Sequence, residues 1–390
     1  RISIAIDVGG TFTDVVGATT LGRLALVKVP TTPADPAQGV IVGMRRVLSM
    51  AGLQNAQVER FIHGTTVATN AVVERKGACT GLITTEGFED VLAVGRQKRS
   101  ELYNLFIEPE TPVFLAPRRR RYGVPERVDS RGRVLVPLDE AAVRAAARAL
   151  HDVHHVGAIA VCFLFSFLNP AHERRTLEII EEELPGVAVS ISSAIDPTFR
   201  EYERTLVTTF DAYLRPKVSS YIRSLENELE REGVPAKLEV MQSRGGIASA
   251  ASARERPVSL LRSGPAAGVI AAQLVGEMCG ERNLISNDIG GTTADIGVIV
   301  GGKPLTSTEG RVMKYPIRIP MIEVSSIGAG GGSIAWLDGT SSLHVGPQSA
   351  GAVPGPVCYG AGGIEPTVTD ASVVLGYLDA SYFAGGDVPL

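Results

Sequence analysis

The stretch Ile6-Asp7-Val8-Gly9-Gly10-Thr11-Phe12-Thr13-Asp14-Val15 near the start of the chain returns as Asn287-Asp288-Ile289-Gly290-Gly291-Thr292-Thr293-Ala294-Asp295-Ile296. Both copies read Asp-(Val/Ile)-Gly-Gly-Thr-x-x-Asp, and Asp7, Gly9, Gly10, Thr11 and Asp14 recur 281 positions later. An apolar run leads into each copy, Ile2 to Ile6 in the first and Leu284 to Ser286 in the second. A returning strand follows (Phe12 to Ala18, Asp295 to Val300), then a glycine turn and a third strand from Arg23 or Lys303. The repeat is a three-stranded meander, which predicts two parts of similar build.

Paired glycines at a hairpin tip allow positive φ and leave backbone N–H groups unshielded. Such a nest of amides binds a phosphate oxygen directly. Thr11 and Thr292 add a hydroxyl at each tip, with Thr13 and Thr293 close behind. Asp7 and Asp288 end the strand just before it, where a carboxylate can hold Mg²⁺ through water or take a proton. Two tips facing one cleft would clamp a polyphosphate from both sides, with the glycine pairs within roughly 10–15 Å. A lone Asp-x-Gly-Gly is a turn in most proteins, but its recurrence at the first turn of two meanders favours phosphate binding. The spacing is not G-x-G-x-x-G, and no G-x-x-x-x-G-K-[ST] occurs, which disfavours NAD and P-loop readings.

Between the copies, helical and strand patterns alternate, which implies an α/β fold. Pro36 to Ala51 and Leu138 to His151 read as helices, the latter capped by Asp139. Tyr202 to Glu232 reads as a helix interrupted at Pro216. The 390 residues suit two or three domains, with a change expected between 185 and 200 that separates 1–190 from 191–390. A net charge of −4 gives no reason to expect nucleic acid or an anionic membrane. Four scattered cysteines without a CxxC pair read as reduced thiols in a cytosolic protein. Val156 to Leu168, the longest apolar run, is too short to span a bilayer and reads as a buried strand.

Other constellations admit two readings each. His63-Gly64-Thr65-Thr66, with Asn70 in the helix that follows, either orients a substrate carbonyl or phosphate or caps a helix. Gly328 to Ser333, including Gly330 and Gly331, either approaches a ligand or makes a tight backbone crossing. Ser263 to Gly268 opens a helix whose free amides face a nucleotide, or whose small residues simply pack closely. Arg244 follows a strand at the end where α/β ligands gather and is a candidate anion partner. Arg118 to Arg121 reads as a solvated loop or partner contact, and His151, His154 and His155 lack the further ligands of a metal site.

Taken together, Asp7 to Asp14, His63 to Ala78, Asp288 to Asp295, Ser326 to Trp336, Val345 to Gly360 and Glu365 to Leu378 resemble the hydantoinase A and 5-oxoprolinase family. That family sits within the actin, hexokinase and Hsp70 ATPase superfamily, and the resemblance runs from Ile2 to Leu378. It implies an α/β fold of two ribonuclease-H-like lobes, with ATP and Mg²⁺ as cofactors. It also implies phosphorylation of a carbonyl oxygen, followed by opening of a cyclic amide such as a hydantoin or 5-oxoproline. Asp7 and Asp288 are the implied catalytic or metal-organising carboxylates, with His63 as a further catalytic candidate. Gly9, Gly10, Thr11, Thr13, Gly290, Gly291, Thr292, Thr293, Gly330 and Gly331 would hold the nucleotide, and Thr65, Thr66, Asn70 and Arg244 the substrate. A hydantoinase B-type subunit or domain and an oligomer are the implied partners. A ketone carboxylase subunit and a non-catalytic Hsp70-like ATP-binding protein are the alternatives.

Family members carry a further glycine-rich motif, like GGAGP, beyond the equivalent of Leu378. Nothing like it follows here, so the second lobe is expected to be incomplete and ATP binding weak. Val298, Val300, Ile317 and Ile319 are then expected to lie uncovered.

Overall fold

The computed structural model of the chain describes residues 1–9, 12–32, 36–98, 103–106, 111–313, 315–351, 353–383 and 390. In chain order the strands that matter are β1 (Ile2–Val8), β2 (Phe12–Thr19), β3 (Leu24–Pro30), β4 (Val58–Thr65), β5 (Thr80–Thr85), β6 (Arg121–Val124) and β7 (Ala158–Cys162). They continue with β8 (Ala188–Ile191), β9 (Leu238–Met241), β10 (Ile247–Ser249), β11 (Leu284–Ile289), β12 (Ala294–Val300), β13 (Lys303–Pro304) and β14 (Val324–Ile327). The helices that support them are α1 (Pro36–Ala51), α2 (Val67–Val73), α3 (Glu140–Arg148), α4 (Ala171–Glu183), α5 (Glu201–Arg231) and α6 (Ser263–Cys279). The architecture is mixed α/β.

The first sheet has the order β10-β9-β4-β1-β2-β3. Alternation sets β1: Ile2, Ile4, Ile6 and Val8 are buried, while Ala5 and Asp7 face outward. Both glycine contacts between α1 and β2 are close. A methyl built on Gly43 would lie 2.4 Å from Val15 Cγ2, and one on Gly17 2.4 Å from Val47 Cγ1. The second sheet, β8-β7-β5-β6, is wholly parallel. Its strand β7 is buried at every residue, as a parallel strand covered on both faces must be. The first sheet takes strands from both sides of residue 190, because β9 joins β4 in parallel and β10 folds back beside it.

Three local expectations change. Helix α5 runs through Pro216 without a break. Leu206, Val207, Phe210 and Leu214 before the proline, and Val218, Ile222, Leu225 and Leu229 after it, are all buried. Tertiary packing on both flanks holds the helix through the hydrogen bond that proline forfeits. The helix expected over Leu138 to His151 is α3, capped by Asp139 accepting from the Ala142 N–H at 2.9 Å, and it ends as a π turn over Ala149–Val153. Arg121 is not solvated: it is 2 % exposed and donates to the carbonyls of Ala116 and Glu89.

The second meander forms a third sheet, in which β12 pairs with β11 on one side and with β13 and β14 on the other. Strand β11 has no second neighbour among the described residues, whereas its counterpart β1 lies between β2 and β4. Ile285 and Ile289 on β11 and Leu274 and Met278 on α6 are exposed, as is Val300. Val298 is half-buried. Ile317 and Ile319 are buried in the main core, contrary to expectation. Their segment folds onto α5, where Tyr315 stacks beside Phe210 and Phe114. No helix among the described residues is long and apolar enough to cross a membrane. All four cysteines are free thiols.

Candidate active site

The two hairpins share their register as well as their residues. Asp7 stands opposite Asp14 and Asp288 opposite Asp295. Each turn closes alike, the Gly9 N–H donating to the Phe12 carbonyl at 2.9 Å and the Gly290 N–H to the Thr293 carbonyl at 2.8 Å. Directly opposed residues of an antiparallel pair share a face, so each hairpin carries two carboxylates side by side. One of each pair is engaged. Asp14 forms an ion pair with Lys28 at 2.6 Å, and Asp295 accepts from the Ser326 hydroxyl, which Arg262 also contacts at 2.6 Å. Asp7 and Asp288 have no hydrogen-bond or ion-pair partner among the described residues.

The tip carbonyls are held from behind. Gly331 N–H donates to Gly290 O at 2.9 Å and Gly332 N–H to Gly291 O at 2.7 Å. In a trans peptide the carbonyl and the next N–H point in opposite directions. Tethering these two carbonyls therefore turns the Gly291 and Thr292 amides toward the open side, where Gly290, Gly291, Thr292 and Thr293 are all exposed. At the first tip a hydroxyl does the same work: Thr31 donates to Gly9 O at 3.0 Å and meets Thr13 at 3.1 Å. Gly10 and Thr11 lie outside the described residues. Gly330 and Gly331, expected to hold nucleotide, form a tight crossing against the second tip. A methyl on Gly330 would lie 2.6 Å from Gly290 O. Thr13 is also displaced from a ligand role, since it is fully buried beneath the tip.

Helix α6 joins the two hairpins. Its start is anchored to the first sheet, with the Ser263 hydroxyl donating to Thr65 O at 3.1 Å and the Arg262 N–H to the Thr69 hydroxyl at 3.0 Å. A methyl on Gly264 would lie 3.6 Å from Asp7 Oδ1, and one on Gly268 3.9 Å from Asp288 Oδ2. The carboxylates therefore flank the same helix face about one turn, roughly 5–6 Å, apart along its axis. They feel each other electrostatically. The Asp7 pKa is raised from its ordinary 3.8, first by loss of solvation among the surrounding protein, then by the charges of Asp14 and Asp288, with Lys28 opposing. A cleft of about 390 Å³ opens beside Asp288, lined by Pro265, Gly268, Val269, Ser286, Asn287 and Asp295.

The turn after β4 forms the wall next to Asp7. Thr66 donates to Val8 O at 3.1 Å and accepts from the Asn70 amide at 3.2 Å, while Thr65 Oγ1 accepts from the Val67 N–H. Both hydroxyls thus brace the turn, and Asn70 is exposed at its rim. Arg244 lies on the same sheet edge, because β9 runs in register with β4 (Val240 opposite His63), and its exposed side chain donates to Gln242 at 2.9 Å. Lys28, Thr31, Arg262 and Ser326 escaped the sequence reading. Lys28 was accessible in principle, since strand pairing places it directly opposite Asp14.

The structure does not bring His63 to the carboxylates. It stands in register with buried Ile6, on the face opposite Asp7, fully buried with Nε2 at 2.8 Å from the Tyr221 hydroxyl on α5. Burial lowers its pKa from 6.5 to about 3. The unfolded chain therefore binds one more proton between those values. Stability is full above pH 6.5 and falls as pH drops toward 3, by at most about 1.4 kcal/mol per unit. His63→Gln is expected to flatten this slope in urea unfolding at pH 7 and pH 5. An unchanged slope would contradict the assignment of His63 as a neutral core residue.

Among the described residues, no group of three or more His, Cys, Asp or Glu side chains could hold a metal ion. Free carboxylates at Asp7 and Asp288 nevertheless suit a hard cation that keeps most of its water and shares phosphate oxygens, which is how Mg²⁺ binds.

Residues 3–184 match the model of the hydantoinase/oxoprolinase N-terminal region, and residues 204–390 match that of hydantoinase/oxoprolinase. The chain is 40% identical over 393 residues to the caprolactamase subunit alpha of Pseudomonas jessenii, covering 99% of this chain and 56% of that one. It is 38% identical over 407 residues to the acetophenone carboxylase gamma subunit of Aromatoleum aromaticum, covering 100% and 55%. The crystal structure of the ATP-dependent caprolactamase superposes with a TM-score of 0.84 at 40% identity, over all of this chain and 57% of that one. A nucleotide-free acetone carboxylase superposes with a TM-score of 0.86 at 31% identity, with the same coverage. The chain thus spans a little over half the length of each of these relatives. With its two halves matched by the paired models, the chain belongs to the hydantoinase/oxoprolinase family.

Proposed function

We propose that this chain is the ATP-using part of an enzyme that opens a cyclic amide of the hydantoin, 5-oxoproline or caprolactam type. The observation that carries the reading is the doubled hairpin, with Asp7 and Asp288 left free along one face of the same helix. Two lobes of actin type would place the tips across a cleft, with the Gly291 and Thr292 amides directed at phosphate. A lactam carbonyl is a poor electrophile because its nitrogen lone pair is delocalised. Transfer of the γ-phosphoryl group from ATP to that oxygen ends the delocalisation. Water then adds to the carbon, the ring nitrogen leaves with a proton, and a second water hydrolyses the acyl phosphate to carboxylate and phosphate. Asp7, with its raised pKa, takes the proton of an attacking water. Mg²⁺ on Asp7 or Asp288 would offset charge on the transferring group. The relatives are named as subunits, which supports a partner of hydantoinase B type and an oligomeric enzyme.

ADP formation in the full protein, measured with hydantoins, 5-oxoproline, caprolactam and simple ketones, tests this. Lactam-dependent, bicarbonate-independent ADP release is the expected result. Release that requires a ketone and bicarbonate would assign the carboxylase reaction in its place.

A further inference from the structure

Helix α6 contains three glycines beyond its first residue, although glycine in a helix interior is unfavourable relative to alanine. Gly276 has a packing reason: a methyl there would lie 2.3 Å from Leu284 Cδ1. Gly264 and Gly268 have none of that kind. Within 4 Å, among the described residues, a methyl on Gly264 would meet only Asp7 Oδ1, and one on Gly268 only Asp288 Oδ2. The two are four residues apart and so share a helix face. A third glycine closes on the same atom from the sheet, since a methyl on Gly64 would lie 2.9 Å from Asp7 Oδ1.

We propose that Gly64, Gly264 and Gly268 are positioning residues, whose missing side chains place the Asp7 and Asp288 carboxylates and leave one oxygen of each open to a hydrated divalent cation. The inference rests on the reading of these carboxylates as the active site. At 3.6 and 3.9 Å an added methyl is in ordinary van der Waals contact with the oxygen, so the helix need not unfold to accept it. The methyl instead occupies the place of a water molecule. The helix has little room to withdraw. Val269 sits so closely over Gly297 that a methyl there would lie 2.2 Å from Val269 Cγ2, and Ser263 and Arg262 tie the first turn to β4 and α2. At Gly64 the contact is tighter, and the Asp7 carboxylate itself must shift.

The test uses the full protein, with Mn²⁺ as the probe, in wild type, Gly64→Ala, Gly264→Ala and Gly268→Ala. Ala271→Gly, at an exposed position of the same helix, is the comparison. Gly268→Ala is expected to melt at or above the wild-type temperature, as alanine is the better helix former, whereas Gly264→Ala, whose methyl would crowd the ring of Pro265, is expected to melt slightly below it. Their Mn²⁺ dissociation constants are expected to rise by about tenfold or more, with a similar loss in kcat and little change in KM for ATP. Gly64→Ala should show the largest loss in kcat. Ala271→Gly should melt lower and bind Mn²⁺ as the wild type does. Unchanged Mn²⁺ affinity and kcat in both helix variants, beside an active wild type, overturns the proposal and leaves the proposed function standing. Losses that appear only with a lowered melting temperature overturn it in favour of helix packing. A wild type that neither binds Mn²⁺ nor turns over ATP removes the site on which both readings rest.

Discussion

Asp7→Asn and Asp288→Asn are each expected to lower lactam-dependent ATP turnover by roughly 10²–10⁴-fold, with the fold intact. Both carboxylates are exposed at the end of a strand and hold no hydrogen bond among the described residues, so amide replacements break no internal contact. The stability of Asp7→Asn carries a second, less intuitive expectation. The folded pKa of Asp7 is raised, so the folded protein binds more protons than the unfolded chain between pH 3.8 and that raised value. Stability therefore falls as pH rises through this window, and the ionised carboxylate is a net burden at neutral pH. Asp7→Asn should melt at or above the wild-type temperature at pH 7, and the difference should vanish below about pH 4. Activity and thermal melting at the two pH values check both halves. Near-normal turnover in either variant would remove that residue from the mechanism. A lowered melting temperature for Asp7→Asn at pH 7 would mean that the carboxylate is a structural group.

The matching places of Asp7 and Asp288 at the ends of two hairpin strands are legible because a motif repeated with its flanking strands constrains position. The strand-pairing register repeats with it, down to the opposed Asp14 and Asp295. His63 and Thr13 were misplaced for one reason. A strand alternates faces at every residue, so neighbours in a motif point opposite ways. His63 follows Ile6 into the core while Gly64 follows Asp7 toward the cleft, and Thr13 turns under the tip that Thr11 was expected to dress. Helix α5 was misread because local propensity at Pro216 competes with apolar packing on both sides, and packing prevails. The glycines of α6 were noticed, but their purpose was not. A small residue in a sequence records only that something lies close, and here that is a carboxylate brought from more than 250 residues away at Gly264 and from 20 residues downstream at Gly268. Arg262 and Ser326, which attend Asp295, come from a helix cap and a strand that no local pattern connects.

The second large effect is expected at Gly330. The two tips solve one problem with different parts: a threonine hydroxyl holds Gly9 O, whereas backbone amides of the glycine loop hold Gly290 O and Gly291 O. A hydroxyl reaches from a side chain, but an amide must bring its own backbone to the tip, and that demands glycine. A methyl on Gly330 would lie 2.6 Å from Gly290 O and 2.7 Å from both the Gly291 carbonyl carbon and the Thr292 nitrogen. These are backbone atoms, so no side-chain rotation relieves the contact. The tip peptide must turn, and the exposed Gly291 and Thr292 amides, which we propose meet phosphate, turn with it. Gly330→Ala is therefore expected to weaken ATP binding by at least about tenfold and to destabilise the fold by about 1–3 kcal/mol. Gly328→Ala, where an added methyl meets nothing within 4 Å among the described residues, should leave both nearly unchanged. Thr31→Val should weaken ATP binding with a smaller loss of stability, because it removes two hydrogen bonds, to Gly9 O and Thr13, without a clash. Calorimetric ATP titration and urea unfolding of the three variants separate these outcomes. Full ATP affinity in Gly330→Ala would mean that the second tip does not hold the nucleotide by its amides, and the doubled hairpin would then be a structural repeat and not a clamp.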